Sequence, residues 1–349
     1  VIADCHNDLL LHVLYQHERG RYDPFGDVWL PRLKAGGVVC QVLPVCTQEQ
    51  FVGEAALRRC LLLVEQAYRC AQLHPADVAV VHTAGELDAA LAGGRIALLL
   101  ALEGTEPVGN DLAVLDALFR AGIRMASLTW NRRTMLADGV GEQDAGGRLT
   151  RLGVEAVAEM ERLGMIVDVS HLSEPGFWHL HEIATRPYLA SHSSCRALRD
   201  HPRNLTDAQL TALAGRGGLV GINAFGPFLA DSPSVHDYLD HAAHAVELLG
   251  ADRVALGPDF FQDIFEDTNP IATGLLTAPG QRIGVPGLSG PEDLAALPAL
   301  LAERLGPDAA RLVASESLLG LLRRALPCTV PNQGSPGGVM HSVAGPSDS

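Results

Sequence analysis

The chain opens "VIADCHNDLLLH" (residues 1–12), an apolar run that ends in polar residues and then turns leucine-rich. A doubly wound open sheet usually follows such a first strand with a glycine-rich phosphate loop. Here "HNDLLLH" (6–12) holds that place, with imidazole and carboxylate instead of glycine. Seven further apolar runs follow: 37–45, 95–104, 123–130, 165–171, 187–192, 218–225 and 253–260. Most are continuous rather than alternating, as strands buried on both faces are. Amphipathic stretches at 54–73, 107–121, 151–163, 174–184, 205–215 and 234–249 separate them. Eight strand–helix alternations imply an α/β fold with a closed parallel sheet, the (β/α)8 TIM barrel.

Composition fits one large soluble unit. Of 349 residues, 47% are hydrophobic and 19% charged, enough for a sizeable core. Residues 1–326 are expected to form a single barrel domain closed by helices at 291–305 and 307–325. From Pro327 to Ser349 the text is Pro/Gly/Ser-rich without periodicity and reads as a loose tail. A net charge of −15 argues against nucleic acid or an anionic membrane surface as partner. No apolar run is long enough to span a bilayer, so no membrane-spanning segment is expected. The seven cysteines show no C-x-x-C spacing, which points to reduced thiols and a cytoplasmic location. Because Val1 already lies inside a strand, removal of an N-terminal signal stays open.

In a barrel of this kind the last residues of each strand face the active site. Five strands end in His6 with Asp8, Glu103, His171, His192 and Asp259. His6 and Asp8, two apart, would share one side of an extended strand. A strand-end carboxylate often merely caps the next helix. Agreement among five strands favours chemistry. Imidazole and carboxylate suit zinc, with other divalent transition metals acceptable. Six such groups exceed what one catalytic zinc takes, so two metals about 3.5–4 Å apart fit better. The only lysine, Lys34, precedes the second strand and is wrongly placed to bridge them as a carbamate, which leaves Glu103.

In order and spacing, "DCHND" (4–8), "LALEG" (100–104), "GMIVDVSHLS" (164–173), "ASHSSCRALRDHPRN" (190–204) and "VALGPDF" (254–260) closely resemble the membrane (renal-type) dipeptidase family. These are binuclear zinc peptidases of the amidohydrolase superfamily, and the resemblance runs from about residue 3 to 325. It implies a zinc-dependent hydrolase that cleaves dipeptides, including some with a C-terminal D-residue, through a hydroxide between two Zn2+ ions per chain. It further implies that His6 and Asp8 bind one ion, His171 and His192 the other, and that Glu103 bridges. Arg203 would grip the substrate carboxylate, a match that an Arg fork makes bidentately. Asp259 would pass a proton to the leaving amine. A homodimer is implied in the same way.

Several members carry a histidine after strand four; here "SLTWNRR" (127–133) puts Trp130 in that slot, with Asn131 beside it. An indole donates one hydrogen bond and carries no charge. Carbonyl binding therefore leans on a metal, on Asn131, or on another residue. Cys5 and Cys195 read as packing residues. His201, two before Arg203, is worth watching. Asp4 is expected to support His6 and Asp8 from behind. Two rival readings stay open. One is another metal-dependent amidohydrolase reaction, by a deaminase or a lactonase/β-lactam hydrolase. The other is a non-catalytic barrel, for which the ligand set would be broken.

Overall fold

The computed structural model describes residues 1–268 and 283–328. Nearly all of the expected tail 327–349 lies outside them. Eight strands run in chain order: β1 (Ile2–Asp4), β2 (Val38–Cys46), β3 (Val78–Val80), β4 (Ile96–Glu103), β5 (Ile123–Ser127), β6 (Ile166–Asp168), β7 (Val220–Ile222) and β8 (Val254–Leu256). All pairings between them are parallel, in the order β6-β5-β4-β2-β1-β8-β7. The sheet closes between β6 and β7 through the segment expected as a strand at 187–192. That segment forms only isolated bridges, Asp168 to Leu189 and Ala190 to Val220. Its amides still serve both neighbours, Leu189 N donating to Val167 O and Ala190 N to Leu219 O, each at 3.0 Å. With it counted as a stave, the barrel has the eight expected members. β3 is extra and pairs with the first residues of β4.

Strand β4 shows how the sheet sorts its side chains. Leu98, Leu100 and Leu102 belong to the large apolar cluster beneath the surrounding helices. Ala97, Leu99 and Ala101 belong to a second cluster with Ala3, Cys5, Met125 and Ala255, joined by Leu318, Leu321 and Leu322 of the Ser317–Ala325 helix. Successive strand residues point to opposite faces. The inward row of β4 therefore continues from Ala101 to Glu103, a buried carboxylate at the strand's C-terminal end.

The opening stretch departs from expectation in one respect. β1 stops at Asp4 and a helix begins at Leu9, so His6 and Asp8 sit on the turn between them and not on one strand face. The Asp4 carboxylate makes that turn by accepting from the His6 amide at 2.9 Å. Cys5 packs inside the barrel, as anticipated. Cys195 is buried against His241, its Sγ 3.4 Å from the His241 carbonyl, also a packing environment.

Candidate metal centre

Asp8 occupies the N-cap position of the Leu9–Glu18 helix, yet its side chain makes no capping bond. Its Oδ1 is buried without any hydrogen-bond partner. Elsewhere in the chain Thr83, Thr150, Ser173 and Thr206 cap their helices in the ordinary way. A carboxylate that could cap and does not is directed at something else.

What it faces is a knot of polar atoms. His6 Nε2 lies 3.6 Å from Asp8 Oδ2, 3.7 Å from Glu103 Oε1 and 3.9 Å from Asp259 Oδ1, with no hydrogen bond to any of them. Glu103 Oε1 is also 3.0 Å from His171 Nε2 and 3.5 Å from His192 Nε2. Donor atoms of His6, Glu103 and His192 lie within 4.8 Å of one another, as do those of His6, Asp8 and Asp259. The six strand-end residues singled out in the sequence are thus brought together, with Glu103 among three imidazoles.

Hydrogen bonding fixes the tautomers of two of these rings. His171 Nδ1 is 2.8 Å from the Asn131 side-chain Oδ1, an acceptor, so Nδ1 carries the proton. His192 Nδ1 is 2.7 Å from Ser191 Oγ, and that hydroxyl donates its own proton to Asp168. His192 Nδ1 is therefore a donor as well. Both rings are kept neutral, pushed well below the usual imidazole range by burial and by the positive charge around Arg203 and His6. Their Nε2 lone pairs consequently face each other across 2.8 Å. Two lone pairs at that distance repel, and a divalent cation accepting from both would relieve that repulsion.

Charge leads to the same conclusion. Burial lifts the carboxyls of Glu103 to about 8 and of Asp259 and Asp4 to about 7. Burial alone would lower His6, but the carboxylates of Glu103, Asp8 and Asp259 overcome it and lift the ring to about 10. Desolvating several carboxylates in one place is unfavourable unless a compensating charge lies among them. Orphaned donors, opposed lone pairs and crowded carboxylates fit divalent metal.

The supporting residues were less visible in the sequence. Asp168, at the end of β6, accepts from the Ser170 amide at 2.9 Å and the Ser191 amide at 3.0 Å, holding the segment that carries His192. The same segment is pressed against β7 and the end of β8. A Cβ on Gly221 or Gly257 would come within 2.1 or 1.9 Å of the Ser191 carbonyl oxygen, so only glycine fits there. Asn223, just past β7, donates to Asp259 Oδ2 at 3.1 Å. A systematic reading of the strand ends would have found Asp168 and Asn223. His171 and Asp259 are themselves strained: at φ of 70° and 62° they hold left-handed backbone that side chains other than glycine's disfavour.

Asp8, Glu103, His171 and Asp259 open into a cavity of about 660 Å³ that also includes Trp130, Asn131, His201 and Arg203. Arg203 is 6% exposed, its Nε has no partner, and one terminal NH2 donates to the His192 carbonyl at 3.3 Å. Trp130 leans on His171, ring centroids 5.7 Å apart. Asn131 lines the cavity too, and its side-chain amide oxygen also supports the His171 ring.

A parallel barrel with buried histidines and carboxylates at the C-terminal ends of its strands has the make-up of a metal-binding barrel. Residues 1–271 match the model of the membrane dipeptidase family, peptidase family M19, and the chain belongs to that family. Dipeptidase verJ of Clonostachys rogersoniana is 31% identical over 236 residues, 65% of this chain and 61% of that protein. Dipeptidase tcpJ of Claviceps purpurea is 30% identical over 277 residues, 74% of this chain and 65% of the relative. The chain thus spans somewhat under two thirds of either relative's length. Among solved structures, the metallopeptidase dipeptidase AC superposes with a TM-score of 0.82 at 27% identity, covering 93% of this chain and 98% of its own. A Rhodobacter sphaeroides metallopeptidase, solved with a phosphinate mimic of L-Ala-D-Ala, gives 0.81 at 26% identity, covering 93% and 99%.

Proposed function

We propose that this chain is a metal-dependent dipeptidase whose catalytic unit is residues 1–326. The observation that carries the reading is the position of Glu103 Oε1, within 3.0–3.7 Å of three imidazole nitrogens, in the same cavity as the buried Arg203. Five ligand groups, with Asp259 beside them, support two ions per chain, and the mixture of imidazole and carboxylate supports zinc. His6 and Asp8 would hold one ion, His171 and His192 the other, with Glu103 shared. When bound, the metals supply Lewis acidity that lowers the pKa of water to about 7 and polarises a carbonyl.

The rest belongs to the protein. Arg203 grips the substrate's terminal carboxylate, which sets the scissile amide one residue away, over the cluster. Asp259, held by Asn223, takes the proton of the attacking water and returns it to the leaving amine nitrogen. Asn131 keeps His171 in the tautomer that presents Nε2, and Trp130 forms the wall beside it. The phosphinate dipeptide mimic seated in the Rhodobacter relative supports a substrate range that includes C-terminal D-residues. Seven free cysteines support a reducing, cytoplasmic setting. Among the described residues no helix is long and apolar enough to cross a membrane. A homodimer rests on family resemblance alone and is measured by light scattering.

Metal analysis together with turnover of L-L and L-D dipeptides, for wild type and Glu103→Ala, tests the proposal. About two metals per chain, with turnover lost in the variant, is the expected result. One metal or none, with no dipeptide cleaved, overturns it and moves the search to deaminase and lactone substrates.

A further inference from the structure

The cavity has walls of two kinds. Gln48, Glu49, Gln50, Glu106 and Arg132 make one side polar. The other is aromatic. Of the chain's nine phenylalanines, four line this cavity: Phe225, Phe228, Phe261 and Phe265. None of the four is fully buried. They touch in series, with ring centroids 4.3 Å apart for Phe225–Phe228, 5.1 Å for Phe225–Phe261 and 5.1 Å for Phe261–Phe265. The series begins at the carboxylate grip: the Arg203 guanidinium lies 5.5 Å from the Phe228 ring centre. His201 also packs on that ring, centroids 4.5 Å apart, and is pushed down to about 4, by burial first and then by Arg203, so it adds no charge at neutral pH.

We propose that this wall is the side-chain subsite for the substrate's C-terminal residue, and that it selects dipeptides ending in a large apolar or aromatic residue. The inference rests on the dipeptidase reading and deepens it. In a dipeptide the C-terminal side chain, the free carboxylate and the scissile nitrogen all branch from one Cα. A carboxylate held at Arg203 therefore fixes that side chain within a few bond lengths of the guanidinium, where Phe228, with Phe225 packed on it, offers apolar surface. Aromatic rings associate in offset or edge-to-face geometry at centroid separations of about 4.5–7 Å, and the series already has that spacing. A large apolar side chain would cover surface that an alanine leaves wet. An aspartate there would bring a second carboxylate against ring faces that offer it no partner.

The test is kcat/KM of the metal-loaded enzyme for Ala-Phe, Ala-Leu, Ala-Ala and Ala-Asp, each with an L- or D-residue at the C-terminal position. For the preferred stereoisomer, Phe and Leu are expected to exceed Ala by at least ~10-fold, with Asp below Ala. Phe225→Ala and Phe261→Ala are each expected to shrink the Phe-to-Ala ratio by ~5-fold or more, while Phe261→Leu keeps most of it. Circular dichroism identifies a variant that fails to fold, and the other then decides. An Ala-Ala rate equal to or above Ala-Phe overturns the inference and leaves the dipeptidase reading standing. So does a Phe-to-Ala ratio that neither alanine variant changes. Cleavage of no dipeptide at all overturns the reading beneath it.

Discussion

The inward row of β4 has two halves that obey opposite rules. Ala97, Leu99 and Ala101 are apolar and share a cluster with Leu318, Leu321 and Leu322 of the C-terminal helix. Two residues beyond Ala101 the same row ends in Glu103, equally buried, among histidines and carboxylates. Burial stabilises the first half at about 25 cal/mol per Å² of apolar surface removed from water. In the second half burial is unfavourable, and it lifts the Glu103 carboxyl to about 8. One strand therefore carries stability at its start and chemistry at its end, and substitutions along it should separate the two.

The largest expected effect lies at the polar end. Asp259→Asn should lower kcat by ~10²–10⁴-fold, the usual range for a lost general acid–base. Steady-state kinetics read the loss, and metal analysis should still find the ions bound by the other five residues. An equal loss of metal would make Asp259 a ligand instead. At the apolar end, Leu322→Ala should destabilise the fold by ~2–5 kcal/mol in urea denaturation, because Leu322 is fully buried. Its kcat/KM at 25 °C should stay within ~3-fold of wild type, since such cavities relax locally. A collapse in activity would mean that the two halves are not separable.

Smaller effects sharpen the contrast. Asn131→Ala frees His171 Nδ1 and should weaken metal binding by ~10–100-fold, measured by competition with a chelator, with little change in melting of the metal-free protein. Thr206 caps its helix reciprocally with Gln209, accepting from the Gln209 amide at 3.2 Å while the Gln209 side chain accepts from the Thr206 amide at 2.9 Å. Thr206→Ala should cost ~1 kcal/mol and leave turnover unaltered.

The barrel was legible because strands buried on both faces write themselves as uninterrupted apolar runs. The cluster was legible because strand ends converge on one face of such a barrel. Two kinds of feature were hidden. Strand β3 is three residues long and half-exposed, too short to carry a period. The stave at 189–190 pairs through isolated bridges, because Asp168 takes the Ser191 amide that a longer ladder would use. Partnerships between distant residues were hidden too. Asn131 meets His171 across forty positions, and the four phenylalanines come from two separate connections. Composition lists such residues without saying that they touch. The expectation for His6 and Asp8 reached the right place by an inexact route, since a turn, not a strand face, brings them together.

The left-handed backbone at Asp259 bears on how this protein can decay over generations. Glycine there would shed the conformational strain, a change that favours the folded state. Drift at that position is thus tilted toward a sturdier molecule that has lost its proton carrier. Only continued demand for turnover opposes the slide, so a barrel of this lineage released from that demand would be expected to outlast its own activity.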